Sequence, residues 1–148
     1  MRPVTPGLLR TRATRRIAAD PTSTALLLAG PAALELWPGV RRVGAVADRV
    51  LVEATIPDQR LATAATVLVS PPRRTPTSFV TSFEWVGPAL PRTAGELLLS
   101  YAGPGETVAE MTLDTEEPGA LSDTARAALA AGFLANLARV AESRNHAA

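Results

Sequence analysis

The order of the predicted elements points to an α+β domain in which a curved antiparallel β-sheet packs around one long C-terminal helix. Two observations predict this class. Residues 40–115 contain closely spaced strands with alternating apolar side chains, joined by short turns rich in glycine and proline, which is typical of an antiparallel meander. A helical pattern much longer than any other then runs from Ser122 or Asp123 to about residue 145. We expect this helix to cover the open face of the sheet.

The chain is short enough for a single domain, preceded by a brief arm. Residues 1–10 contain two prolines and a glycine and are predicted to form an irregular N-terminal arm, so that the domain spans 11–145. Residues 11–18 are a candidate for the first strand. That strand joins the later ones to give a sheet of about six or seven strands.

Two short helices are predicted between the first strand and the meander. Asp20 is suited to cap the first helix, with Pro21 at its first helical position. This helix is expected to end at Gly30. The second, "AALELW", is ended by the Pro38-Gly39 pair that follows Trp37.

The meander is predicted from runs of alternating or continuously apolar residues. Its six strands are expected at 40–47, 49–56, 61–70, 76–87, 92–103 and 107–115.

Composition excludes several kinds of chemistry. The chain has 148 residues, a net charge of +1 and no cysteine, and all fifteen basic residues are arginine. Thiolate nucleophiles, Cys-ligated metals and Schiff-base lysines are therefore excluded, and nothing in the charge favours nucleic acid or an anionic membrane. The single histidine, His146, lies near the end of the chain, so we expect no metal and no covalent cofactor. No apolar run reaches membrane-spanning length, and we expect a cytoplasmic protein, with a residue bias that suggests a bacterial, GC-rich genome.

Three stretches together resemble a known superfamily. They are "IAADPTSTALLLAGPAALELWPGVRRV" at 17–43, the strand meander at 40–115, and the helix "AAGFLANLARVAES" at 130–143. In order and spacing they resemble the helix-grip superfamily, variously called START-like, Bet v 1-like or SRPBCC, which includes polyketide cyclases and aromatases. The resemblance implies a deep, mostly apolar cavity between the sheet and the long helix, entered near the two short helices.

Alternation along the strands indicates which side chains face such a cavity. On strand 76–87 the bulky face carries two phenylalanines, a threonine and a tryptophan, and it is expected to point at the helix. The candidate ligand-binding residues are Trp37, Phe79, Thr81, Phe83, Trp85, Tyr101, Met111, Leu129, Phe133 and Asn136. The aromatic residues are equally typical of an ordinary core, Trp37 included. Backbone capping or solvent exposure is the alternative for Asn136.

No catalytic motif of the superfamily can be transferred to this chain, because its members share a fold and a cavity more than a fixed signature. Glu35, near the expected cavity mouth, and Tyr101 are the weak candidates for acid–base work, since a carboxylate in an apolar hollow can move protons. The alternative for Glu35 is an ordinary surface position. Arg73 and Arg74 in "PPRRTP" are suited either to an anionic ligand or acyl carrier protein, or simply to a solvated turn.

Three functions remain open at this stage. In the first, the protein binds, carries or senses a hydrophobic, aromatic or polyketide-like small molecule. In the second, it is a cyclase, aromatase or dehydratase that folds such a substrate in its cavity. In the third, it is a structural or regulatory partner whose cavity is closed by side chains.

Overall fold

A computed structural model of the protein describes residues 8–29, 31–46, 48–55, 62–87, 90–116 and 122–146. These residues form a seven-stranded antiparallel sheet in the order β1-β7-β6-β5-β4-β3-β2. The strands are β1 (Leu8–Ile17), β2 (Val40–Val46), β3 (Arg49–Thr55), β4 (Ala62–Arg74), β5 (Ser78–Gly87), β6 (Leu90–Gly103) and β7 (Glu106–Glu116). The predicted α+β helix-grip architecture is confirmed.

The long helix α2 (Asp123–His146) packs mainly on β1 and β7 and also reaches the short helical segment before β2. Its buried face presents Ala130, Phe133, Leu134, Leu137 and Ala138 to the sheet. The core therefore lies between α2 and the inward-facing side chains of the strands.

The two short helices occur in the predicted order, but the first ends earlier than expected and the second is of another type. The first helix ends at Leu26 rather than near Gly30, because the next three backbone N–H groups each donate to the carbonyl three residues earlier, which makes tight turns and does not continue the α-helix. α1 (Pro21–Leu26) is capped by Asp20, whose Oδ1 accepts a 2.7 Å hydrogen bond from the Ser23 backbone N–H. The second segment, Pro31–Leu36, is a 3₁₀ helix. Trp37 continues this tight winding, because its backbone N–H donates to the Leu34 carbonyl three residues earlier.

β1 begins earlier than the sequence suggested. Residues 8–10, assigned to the irregular arm, continue the strand and pair with β7. The Arg10 guanidinium holds the Asp114 carboxylate through two hydrogen bonds of 2.7 and 3.0 Å, and this contact lowers the pKa of Asp114. The prolines and the glycine that favoured an arm lie in residues 1–7, outside the described residues, so the strand meets no local breaker.

The joint between the 3₁₀ helix and β2 is a tight turn that depends on Gly39. Gly39 has φ = 72°, and a Cβ there would lie 2.7 Å from the Thr55 carbonyl oxygen. The Gly39 carbonyl in turn accepts a 2.8 Å hydrogen bond from the Thr55 N–H. Only glycine fits this close approach to β3 without strain.

Gly132 on α2 is explained by the same joint. A Cβ at residue 132 would lie 2.3 Å from the Cγ of Pro38. The close neighbour of this mid-helix glycine is thus the Pro38 ring, and the missing side chain lets the joint press directly on α2.

We predict that Gly132→Ala destabilises the protein. Alanine favours helix by about 1 kcal/mol over glycine, but overpacking against Pro38 should outweigh this gain and lower the free energy of unfolding by about 1–3 kcal/mol. Denaturant unfolding measures the change. Pro38→Ala in the same chain removes the clashing ring, so the double variant should recover part of the loss. A Gly132→Ala variant more stable than the parent protein would contradict this packing.

Candidate functional site

Four aromatic rings meet at the centre of the molecule. The ring centroid of Trp37 lies 5.4 Å from that of Phe83, 5.5 Å from that of Trp85 and 4.5 Å from that of Phe133. Phe83 and Phe133 are themselves 5.6 Å apart. We call these four residues the aromatic cluster. It joins the 3₁₀ joint, β5 and α2, and all four side chains are buried.

The alternation of β5 places two of these rings as predicted. Phe83 and Trp85 are buried on the inward face together with Thr81, whereas Ser82 and Glu84 between them are only half-buried. The other predicted positions on the inner surface are buried or partly buried: Met111 is fully buried, and Phe79 and Leu129 pack against the core. Their contact with a ligand stays a prediction.

Tyr101 was expected in the interior and is not there. Its side chain is 64% exposed, although it follows the buried Leu97 and Leu99 on the same face of β6. Alternation along a strand predicts on which face of the sheet a side chain lies, but not how deeply it is buried. Tyr101 lies where β6 extends beyond the core to the surface. There it lines an open notch of about 490 Å³ with Phe79 and Arg74.

Glu35 is also outside the interior. It is exposed on the 3₁₀ helix, between the buried Leu34 and the half-buried Leu36. The apolar hollow that would let this carboxylate act as an acid or base is absent around its described position. Neither predicted acid–base group therefore reaches the aromatic cluster.

Asn136 has a partner on the backbone. Its Nδ2 donates a 2.8 Å hydrogen bond to the Leu36 carbonyl at the end of the 3₁₀ helix. Because that carbonyl ends a helical segment, the side chain caps it and ties α2 to the joint. Of the alternatives to ligand binding, the structure therefore shows backbone capping for Asn136, whose amide nitrogen is hydrogen-bonded to the backbone. Contact between Asn136 and a ligand stays a prediction.

The interior also holds polar groups that the sequence analysis missed. Thr93 and Thr115 face each other on β6 and β7 and are buried, as is Arg126 on α2, which is 3% exposed. The Arg126 Nε donates a 3.2 Å hydrogen bond to the Thr11 hydroxyl on β1, and its Nη2 pairs with Asp123.

A signal for Arg126 was present in the sequence. Arg126 stands four residues before Ala130 and seven before Phe133, which puts it on the buried stripe of α2. The threonines likewise continue the inward alternation of their strands. These residues could have been identified from the sequence as charged or polar side chains at positions that the helical and strand periodicities predict to face inward.

Three buried side-chain polar atoms lack a hydrogen-bond partner among the described residues. One is the Nη1 of Arg49, a side chain whose Nη2 lies 3.6 Å from the Glu84 carboxylate. The other two are the indole Nε1 of Trp37, a side chain 3% exposed, and the hydroxyl of Thr115, 0% exposed. A buried donor without an acceptor is costly, by about 1–3 kcal/mol. Both atoms therefore stand out in an interior that is otherwise apolar or paired.

Solved structures show which fold this is. The chain is similar to a START superfamily protein from Mycobacterium smegmatis, with 18% identity over 93% of this chain and 97% of that one and a TM-score of 0.61. It is similar to the Zhui aromatase/cyclase from Streptomyces sp. R1128, with 13% identity over 93% and 96% and a TM-score of 0.67. It is also similar to a truncated norcoclaurine synthase from Thalictrum flavum, with 10% identity over 95% and 97% and a TM-score of 0.62.

The protein thus has the START-like, or Bet v 1-like, helix-grip fold. No protein-family model matches the sequence, and no curated protein matches it significantly. None of the described helices is long and apolar enough to cross a membrane. In the same part of the chain, no three His, Cys, Asp or Glu side chains come together as a metal site would need.

The two ends of β7 offer a matched test of the unpartnered hydroxyl. Thr107 is buried like Thr115, but its hydroxyl donates a 2.7 Å hydrogen bond to the Ala19 carbonyl. Thr107→Val leaves that carbonyl unpaired and should cost about 1–3 kcal/mol of unfolding free energy. Thr115→Val breaks no bond, so its stability should stay within about 1 kcal/mol of the parent or rise. Equal losses in the two variants, measured by denaturant unfolding, would mean that the Thr115 hydroxyl is bonded after all.

Proposed function

We propose that this protein binds a hydrophobic, aromatic or polyketide-like small molecule between its sheet and α2. The observation that carries the proposal is the aromatic cluster, which puts four rings at the centre of a START-like fold. Apolar and aromatic walls with a few placed polar groups are how small-molecule sites are built. The name of one structural neighbour, an aromatase/cyclase, supports an aromatic or polyketide-like ligand.

Trp37 contacts each of the other three rings, and Phe83 contacts Phe133, so a ligand that enters this interior has to displace at least one ring. Trp37 is the ring best suited to move. It stands at the end of a short 3₁₀ segment, whereas Phe83 and Trp85 are held within β5 and Phe133 within α2. Its indole N–H also has no hydrogen bond to break among the described residues.

Binding is favoured over catalysis by the position of the titratable groups. The two predicted acid–base residues, Glu35 and Tyr101, are exposed and lie outside the aromatic cluster. A cyclase, aromatase or dehydratase activity would therefore depend on the shape of the interior, which can order a flexible substrate, and on hydroxyl and guanidinium groups such as those of Thr115 and Arg126. The cytoplasmic and bacterial setting stays a prediction, and so does an acyl carrier protein as partner.

A second candidate is a structural or regulatory partner with a closed interior. The close packing of the four rings is the observation that favours it, since each contacting aromatic pair adds about 0.5–1.5 kcal/mol to stability. In that case the surface notch beside Tyr101, not the interior, is the place where a small molecule would lie.

Thermal unfolding with a panel of naphthalene derivatives and medium-chain fatty acids tests the proposal. A ligand of the native state stabilises it by about 2.7 kcal/mol at a hundredfold excess over its dissociation constant. We expect a naphthalene derivative to raise the midpoint and to change tryptophan fluorescence. The chain has two tryptophans, and both belong to the aromatic cluster, so that emission reports on the interior alone.

Tyr101→Ser is the matched control, because it alters the notch and leaves the aromatic cluster intact. The ligand-induced shift should persist in this variant. A shift that disappears with Tyr101 would place the ligand in the notch. Absence of any shift across the panel would favour the closed-interior partner.

A further inference from the structure

The two unpartnered atoms of the interior, the Trp37 indole Nε1 and the Thr115 hydroxyl, both belong to side chains that adjoin the inward face of β6. The Cη2 carbon of Trp37, on its six-membered ring, lies 3.7 Å from where a Cβ of Gly95 would stand, so this end of the indole lies against β6. Thr93 is two residues from Gly95 on the same inward face, and it pairs across the ladder with Thr115. Trp85, whose centroid is 5.5 Å from that of Trp37, pairs with Thr93 on the other side. Trp37 and Thr115 are therefore linked through the same two residues, because Thr93 pairs with Thr115 on one side and with Trp85, which contacts Trp37, on the other.

The chemistry of the two atoms selects their partner. An indole N–H only donates, whereas a threonine hydroxyl both donates and accepts. An oxygen with free lone pairs is the group that satisfies a donor of either kind. Without such an oxygen both atoms stay buried and unpaired, which is costly.

The surroundings favour a neutral oxygen over an anionic one. Arg126 is the one buried charged side chain among the described residues, and its guanidinium already bonds to Thr11 and Asp123. A carboxylate would need a charge partner to offset its loss of water. A carbonyl group needs only donors, which Trp37 and Thr115 supply.

We propose that Trp37 and Thr115 form the polar end of the ligand site and bind a ketone-type carbonyl oxygen of an otherwise aromatic ligand. This deepens the proposed function and rests on it. The ligand's ring system lies among the aromatic cluster, and its carbonyl oxygen accepts from the Trp37 N–H and from the Thr115 hydroxyl. Selection among aromatic ligands then follows from whether they carry this oxygen.

The test uses two probes of the same shape, 2-acetylnaphthalene and 2-ethylnaphthalene, which differ by a carbonyl in place of a methylene. Calorimetry gives the dissociation constant of each for the full-length protein and its variants. The ratio of the two affinities is the readout, because differences in hydrophobicity between the probes cancel when one variant is compared with another. One hydrogen bond corresponds to about a two- to twelvefold change in that ratio.

We expect Thr115→Val and Trp37→Phe each to lower the preference for the acetyl probe by about that factor relative to the parent protein. Thr107→Val, the same substitution at the far end of β7, should leave the ratio unchanged, because its hydroxyl bonds to the Ala19 carbonyl. Should Trp37→Phe fail to fold, Thr115→Val alone decides the outcome.

Three results overturn the proposal. The first is an affinity ratio that Thr115→Val leaves unchanged. The second is 2-naphthoate binding more tightly than 2-acetylnaphthalene, which would make this an anion site. The third is binding of neither naphthalene probe, which removes the proposed function and this inference with it. If both probes bind and the ratio is insensitive to the variants, the proposed function survives and only the carbonyl site fails.

Discussion

The contact of the Trp37 ring with Phe83, Trp85 and Phe133 is the interaction on which the rest of this structure depends. It is where three separate parts of the chain meet: the joint after the 3₁₀ helix, strand β5 and helix α2. A tryptophan at the turn between two elements thus serves as the centre of the core. Large rings in edge-to-face contact fix position as well as burying area, since their preferred geometries are few.

Two smaller contacts hold the joint against α2. Pro38 presses on the helix where Gly132 leaves room for it, and Asn136 donates to the Leu36 carbonyl one turn further along. These contacts flank Trp37 in sequence on both sides. The ring is therefore positioned through its neighbours, while its own N–H has no partner among the described residues.

Much of the fold could be predicted because its signals are local. The Asp20 cap, the alternation of β5 and the apolar stripe of α2 each depend on spacing within one element, and each was confirmed. Burial depth is different, because it depends on where neighbouring elements stop. Tyr101 has the correct face of β6 but lies beyond the core, and Glu35 faces solvent on its short helix.

The candidate site was predictable in its apolar part and not in its polar part. Aromatic side chains at inward positions can be recognised in the sequence by their size and by the alternation of the strand. Whether a buried hydroxyl or indole N–H finds a partner depends on atoms contributed by distant segments, as the contrast between Thr107 and Thr115 shows. The same limit applies to Gly132, whose neighbour Pro38 is far away in the sequence.

We expect ligands to be held in the interior around Trp37. A proton–nitrogen correlation spectrum of the protein, recorded during titration with 2-acetylnaphthalene, tests this expectation directly, because the chain has two tryptophans and hence two indole N–H signals. We expect the Trp37 indole signal to move strongly while the signals of the backbone amides of Thr77 and Ser78, which line the notch beside Tyr101, stay in place. Movement of those notch amides with both indole signals unchanged would contradict it.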